Sequence, residues 1–334
     1  MYIDLPEGEL ATYESVQKDP DDFDEFWSDT LAQARAKAFA PIIERVETPL
    51  TTLDVYDVTF SGYDGQPIKA WLRVPAGAPH RPLAAVAQFV GYGGGRGHPL
   101  DNLLWASAGF ASFQMDTRGQ GSGWSTGDTP DPNGAGPHYP GFLTRGIETR
   151  EGYYYRRVIA DAVRAVDTVR ELDMVDASRV AAFGQSQGGG LTLAVSGLVP
   201  DLVAAAPCVP FLCDFPRASV ITDAFPYKEI GSYLAVHRDR AAQVQDVLAY
   251  FDGVNFARRA HSPAIFSASL MDSTCPPSTV YGAFNSYAGP DKSLSLWTYN
   301  GHEGGGIIDE ERAIAFVNAI LQTIPMDGNA RPAA

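Results

Sequence analysis

The sequence predicts an α/β protein built on one mostly parallel sheet with helices on both faces. Three observations carry this. After Val90, short apolar runs alternate with helical patterns, as expected when crossover helices lay strands parallel. Before it, residues 55–60 and 68–74 flank Gly62-Tyr63-Asp64-Gly65 and read as an antiparallel hairpin. Most telling is Gly184-Gln185-Ser186-Gln187-Gly188, set between a buried-type strand at 179–183 and a helical opening at 188–195. A serine flanked by glycines two positions away, between strand and helix, is the pattern of a nucleophile elbow. The turn is too tight for side chains on either flank and presents the serine oxygen at the strand's carboxyl end. The bland alternative is a glycine-rich turn with an exposed serine.

The other elements follow in order. Residues 21–38 read as an amphipathic helix, with Phe23, Phe26, Trp27, Leu31, Ala34 and Ala38 at helical spacing and suited to packing. Residues 83–90 form a buried strand that runs into Gly91-Tyr92-Gly93-Gly94-Gly95. Residues 121–141, crowded with Gly, Pro, Asp and Ser, are too long for an ordinary connection. Residues 211–256 mix aromatic and charged side chains and read as a helical insertion over the sheet, a substrate cover or subunit contact. Strand-like runs at 263–271 and 293–299 follow, and 326–334 reads as a frayed tail. The expected organisation is a single domain over 1–334, with an N-terminal helical extension over about 1–50.

A serine hydroxyl needs a base at neutral pH, and the base needs a carboxylate to orient it. In this kind of fold both follow the serine, acid before histidine, each after a later strand. Asp272 stands at the end of the 263–271 run, and His302 follows 293–299 in Asn300-Gly301-His302-Glu303-Gly304-Gly305-Gly306, a loop that reads as mobile. His80 and His98 precede the serine, and His138 lies in the Gly/Pro-rich stretch. His237 sits in a charged run and His261 precedes a strand. Asp309 and Glu303 are the fallback orienters. The amide of Gln187, directly after the serine, supplies one oxyanion donor, and the 91–95 loop is placed to supply a second. That loop lacks the Gly-Lys-Ser/Thr ending of a phosphate cradle.

These residues carry a resemblance. The chain resembles the carbohydrate esterase family of acetyl xylan esterases and cephalosporin C deacetylases, in the α/β-hydrolase superfamily. Besides 184–188 it has Arg118-Gly119-Gln120, the His302-Glu303 pair, Asp4-Leu5-Pro6 and Asp22-Phe23-Asp24-Glu25-Phe26-Trp27. It also has Gly152-Tyr153-Tyr154-Tyr155-Arg156-Arg157, Asp161-Ala162-Val163-Arg164-Ala165 and Pro276-Pro277-Ser278-Thr279-Val280. The match spans about 3–321. It implies Ser186 as nucleophile, His302 as base, Asp272 as orienter, and the amides of Tyr92 and Gln187 as oxyanion donors. It implies deacetylation of xylo-oligosaccharides or cephalosporin C-like esters through an acetyl-enzyme, with no metal or organic cofactor. It also implies a homo-hexamer whose sites open to an internal cavity and take small substrates. Arg118, Gly119 and Gln120 read as a support near the site, or Arg118 as a surface ion pair. Gln185 and Thr274 depart from the family pattern, as do Gly304 to Gly306, which are expected to loosen the His302 loop. A broad carboxylesterase or a peptidase of the same superfamily is the alternative activity, and a non-catalytic scaffold the alternative class.

Composition agrees. Apolar residues at 45% and charged residues at 19% describe a globular chain. Forty acidic against 25 basic residues leave a formal charge of −15, which argues against nucleic acid as a partner. No apolar run has transmembrane length, and the acidic start lacks a signal-peptide pattern, so a soluble, cytoplasmic protein is expected. Cys208, Cys213 and Cys275 have no CxxC spacing and are expected to be free thiols.

Overall fold

A computed structural model describes residues 2–77 and 82–323; His80 and the 326–334 tail lie outside them. The strands are β1 (Ile42–Val46), β2 (Leu53–Ser61), β3 (Pro67–Pro75), β4 (Leu83–Phe89), β5 (Ala111–Met115), β6 (Val175–Gln185), β7 (Ala205–Cys208), β8 (Ala264–Ser269) and β9 (Lys292–Trp297). The helices are α1 (Glu7–Leu10), α2 (Phe23–Ala36), α3 (Leu104–Ser107), α4 (Tyr154–Glu171), α5 (Gln187–Leu198) and α6 (Phe215–Ile221). They continue with α7 (Lys228–Val236), α8 (Ala241–Leu248), α9 (Gly253–Ala257), α10 (Pro277–Ser286) and α11 (Ile307–Thr323).

The strands form one nine-stranded sheet in the order β1-β2-β3-β5-β4-β6-β7-β8-β9. The pairs from β1 to β5 are antiparallel, and those from β5 through β9 are parallel. Small apolar residues make β4 a central strand, buried along most of its length. One face is covered by α4, α5 and the 211–256 helices, the other by α3 and α11, where Trp105, Phe110, Ala313 and Val317 pack on Val86 and Ala181. Among the described residues no helix is long and apolar enough to cross a membrane.

Two details differ from the sequence reading. The helix at 21–38 ends at Ala36, and Ala38 is exposed beyond it, since only the positions through Ala34 face the core. The first fifty residues are not only helical: 42–46 pair with β2 as an exposed edge strand.

Arg118 is no surface residue. It is fully buried and pairs bidentately with Asp161, Nε to Oδ2 at 2.6 Å and Nη2 to Oδ1 at 2.7 Å. Asp161 also accepts the Tyr63 N–H, and Asp131 binds Arg157 bidentately while lying 3.5 Å from Arg118. This cluster locks the β2–β3 turn, the segment after β5 and α4 together. Removing one charge strands its partner away from water, so Asp161→Ala is expected to cost about 3–5 kcal/mol. It is read as a lower urea midpoint; the apolar double variant Arg118→Met/Asp161→Leu should lose less than Asp161→Ala.

Candidate active site

The elbow follows from sterics. Ser186 takes φ 58° and ψ −120°, a strained conformation for a residue with a Cβ. A Cβ on Gly184 would fall 2.4 Å from the Gly188 backbone, and one on Gly188 would fall 2.1 Å from the Phe89 carbonyl oxygen. Only glycines let α5 start this close to β4. The Ser186 carbonyl accepts N–H bonds from Gly190 and Phe211, and its own N–H binds the Cys208 carbonyl.

The structure brings the three separated side chains together. His302 Nε2 lies 2.9 Å from Ser186 Oγ, and His302 Nδ1 lies 2.8 Å from Asp272 Oδ2. Asp272 is fully buried, and its other oxygen accepts the N–H groups of Thr274 and Cys275 at 2.8 and 2.9 Å. The carboxylate is therefore fixed on one side by the turn after β8 and on the other by the imidazole. The fallback orienters point elsewhere. Asp309 accepts from Trp297 Nε1 and the Gly305 N–H, and Glu303 from Asn300 and the Gly301 N–H.

The glycines after His302 do not loosen its loop. A Cβ on Gly305 would meet the Trp297 ring at 2.2 Å, so glycine there admits close packing. The loop is tied by Gly304 N–H to the Gly301 carbonyl, by Gly306 N–H to the Glu303 carbonyl, and by Asp309. Gln185 clamps it from β6, its Nε2 donating to the carbonyls of His302 and Glu303 at 3.3 and 3.4 Å.

Gln187 opens α5, so its N–H is among the donors a helix cannot satisfy internally. No acceptor for the Gln187 or Tyr92 N–H is found among the described residues. The Gln187 side chain is buried and binds the Val90 carbonyl through Nε2, while its Oε1 accepts from Gln120 and Tyr155. Gln120 reaches across in turn: its Oε1 accepts the Gly93 N–H at 2.7 Å. One amide thus ties the 91–95 loop to the start of α5. That support was visible in sequence only as a motif.

Glu229, on α7, gave no sequence signal, being one acid in a charged insertion. It accepts from the Tyr92 hydroxyl and, at 2.8 Å, from the Leu143 N–H, so it pins the Tyr92 side chain from below. Burial away from water pushes its carboxyl up to about 7, against the pull of those donors. Cys208, Cys213 and Cys275 are buried free thiols. Among the described residues, Asp272, Cys275 and His302 have ligand-type atoms within 4.8 Å of one another. Burial pushes the Cys275 thiol up, and the other two already bond each other, so the set suits a proton relay better than a cation.

A serine on a strand–helix elbow, with acid and histidine from later strands of a mostly parallel sheet, defines an α/β-hydrolase-type protein. The comparisons narrow this. The acetyl xylan esterase (AXE1) family model matches residues 1–320, and the chain belongs to that family of carboxylic ester hydrolases. It is similar to an acetyl xylan esterase from Paenibacillus sp. R4, with 39% identity and a TM-score of 0.89, covering 94% of this chain and 99% of that one. It is also similar to acetyl xylan esterase 1 from Thermoanaerobacterium sp. JW/SL YS485, with 30% identity, a TM-score of 0.86 and coverage of 95% and 99%. The acetyl esterase Axe7A of Xylanibacter ruminicola is 28% identical over 281 residues, 83% of this chain. The match spans 62% of that protein's length.

Glu229 gives a pH test. An acid whose folded pKa is raised takes up a proton on folding, so its contribution is complete below about 4.5 and is lost as pH rises through about 7. Glu229→Gln is expected to make the fall in unfolding free energy between those limits shallower. Urea titrations at several pH values measure it, and Asp252, also pushed up to about 7, keeps its share in both proteins.

Proposed function

We propose that this chain is a serine esterase that removes acetyl groups from small acetylated substrates, acetylated xylo-oligosaccharides or cephalosporin C-like esters. The relay of 2.9 and 2.8 Å contacts from Ser186 through His302 to Asp272 carries the reading. Ser186 Oγ attacks the acetyl carbonyl as His302 Nε2 takes its proton, and Asp272 stabilises the imidazolium. The N–H groups of Tyr92 and Gln187 receive the oxyanion. Collapse expels the alcohol, protonated by His302, and leaves an acetyl ester on Ser186. Water, deprotonated by His302, then attacks that ester and releases acetate.

Ser186→Ala is expected to lower kcat on p-nitrophenyl acetate by about three orders of magnitude or more while the protein stays folded. A near-native rate removes the assignment. Stoichiometric labelling of Ser186 by an organophosphate separates the esterase from a scaffold, and peptidyl p-nitroanilides separate it from a peptidase. Gln120→Met, which frees the 91–95 loop from α5, is expected to lower kcat about ten- to a hundredfold with KM little changed. Equal effects on kcat and KM with a lower melting temperature assign Gln120 to folding alone.

A further inference from the structure

The cavity above Ser186 has a volume of about 770 Å³. An acetyl group displaces only a few water volumes of about 30 Å³ each, so most of this space serves something else. One arm runs down the face of the sheet that carries α3 and α11, and its lining includes Gln88, Asn102, Gln114, Phe183, Ile307 and Glu310. Gln88 alternates with Val86, which packs on that face, and pairs in register with both Gln114 and Phe183. Phe183 precedes Ser186 by three residues, so the arm reaches about 10 Å back along the strand.

Its polar groups are buried and only partly used. Gln88 is 6% exposed and Gln114 4%, and they sit with buried Ser112 and Arg73 in a small polar cluster on the sheet. Arg73, fully buried, donates to Gln114 Oε1 at 2.8 Å, and Asn102 Nδ2 donates to the same oxygen at 3.2 Å. Arginine can only donate, so the Gln114 oxygen must face it and the amide N–H groups must turn away. Those N–H groups have no acceptor among the described residues. Gln88 gives one hydrogen to Ser112 Oγ, and no donor reaches its Oε1 among the described residues. Free donors and acceptors thus stand side by side on the cavity wall, a pattern met by a molecule whose hydroxyls both give and accept.

The side of the site matters as well. The arm's far wall, Ile307 and Glu310, belongs to the first turn of α11, directly after the His302 loop. His302 protonates the departing oxygen, and the arm begins beside the loop that carries His302, which makes it a seat within reach of the alcohol half of the ester. Phe225 and Pro226, from the insertion, and Thr274, from the turn after β8, also line the cavity. At the mouth, Trp124 is 67% exposed and holds its indole N–H on the Tyr92 carbonyl, offering a flat apolar face.

We propose that the arm formed by Gln88, Gln114 and Asn102 is the subsite that holds the alcohol half of the acetyl ester. The proposal rests on the esterase reading above. Gln88→Leu is expected to lower kcat/KM about ten- to a hundredfold on an acetylated xylo-oligosaccharide while leaving p-nitrophenyl acetate unchanged. Asn102→Ala, at the exposed rim, is expected to act in the same direction and guards against a folding defect in the buried variant. An equal loss on both substrates, or no loss on either, overturns the subsite. So does a gain by Gln88→Leu on p-nitrophenyl butyrate, which would make the arm an acyl pocket. Failure of the unmodified protein to hydrolyse p-nitrophenyl acetate overturns the esterase reading itself. Binding of xylo-oligosaccharide to Ser186→Ala, weakened by Gln88→Leu, reads the subsite without turnover.

Discussion

The contact on which the site depends is the approach of α5 to the end of β4, with Gly188 against the Phe89 carbonyl. A side chain at 188 would push the helix away from the sheet. Ser186 would then lose the backbone bonds to Gly190, Phe211 and Cys208 that hold it in its strained turn. The Gln187 N–H would move with it, away from the Tyr92 loop. One missing methyl group therefore fixes the serine and a backbone donor at once. The strain at Ser186 is tolerated because neighbours on three sides over-determine its position.

The second requirement is that loops from distant parts of the chain share one frame. The segment after β5 does this with two side chains. Arg118 is locked by Asp161 of α4, while Gln120 bonds the Gly93 N–H and Gln187 and also donates to the Tyr154 hydroxyl at the start of α4. The buried ion pair thus anchors the short segment from which Gln120 braces the loop. Glu229 adds a brace from the insertion through the Tyr92 hydroxyl. A buried carboxylate adds little stability in itself. Its use here is directional, since it accepts two donors from segments that otherwise share no regular structure.

The sequence made the order of the site legible and left its bracing hidden. Ser186, Asp272 and His302 each follow a strand in the expected order, so local pattern and chain order sufficed to bring them to notice. The bracing depends on pairs such as Gln120 with Gln187 and Tyr92 with Glu229, separated by 67 and 137 residues, which no local period encodes. The glycines at 304–306 misled, because a glycine required by the Trp297 ring looks in sequence like one chosen for freedom. The edge strand at 42–46 was missed because its side chains are largely exposed and show no apolar alternation. The lone glutamine in the apolar run of β4 was a signal that went unread. A polar side chain in a buried strand is there for a partner, and this one faces the cavity.

The insertion is not a loose flap over that cavity. Phe23, Phe26 and Trp27 of α2 interlock with Tyr250, Phe251 and Phe256 near its end, at ring separations of 5.0 to 6.4 Å. Trp27 also donates to the Tyr250 carbonyl. Such aromatic contacts add to the area they bury and resist independent movement of either part. The N-terminal helix thus holds the cover in place through its far end, while Glu229 and Tyr92 hold the near end. A cover fastened at both ends presents Phe225 and Pro226 to the cavity as a fixed wall. In the proposed esterase that wall would bound the substrate from the insertion, while the amides of β4 and β5 would meet it from the sheet.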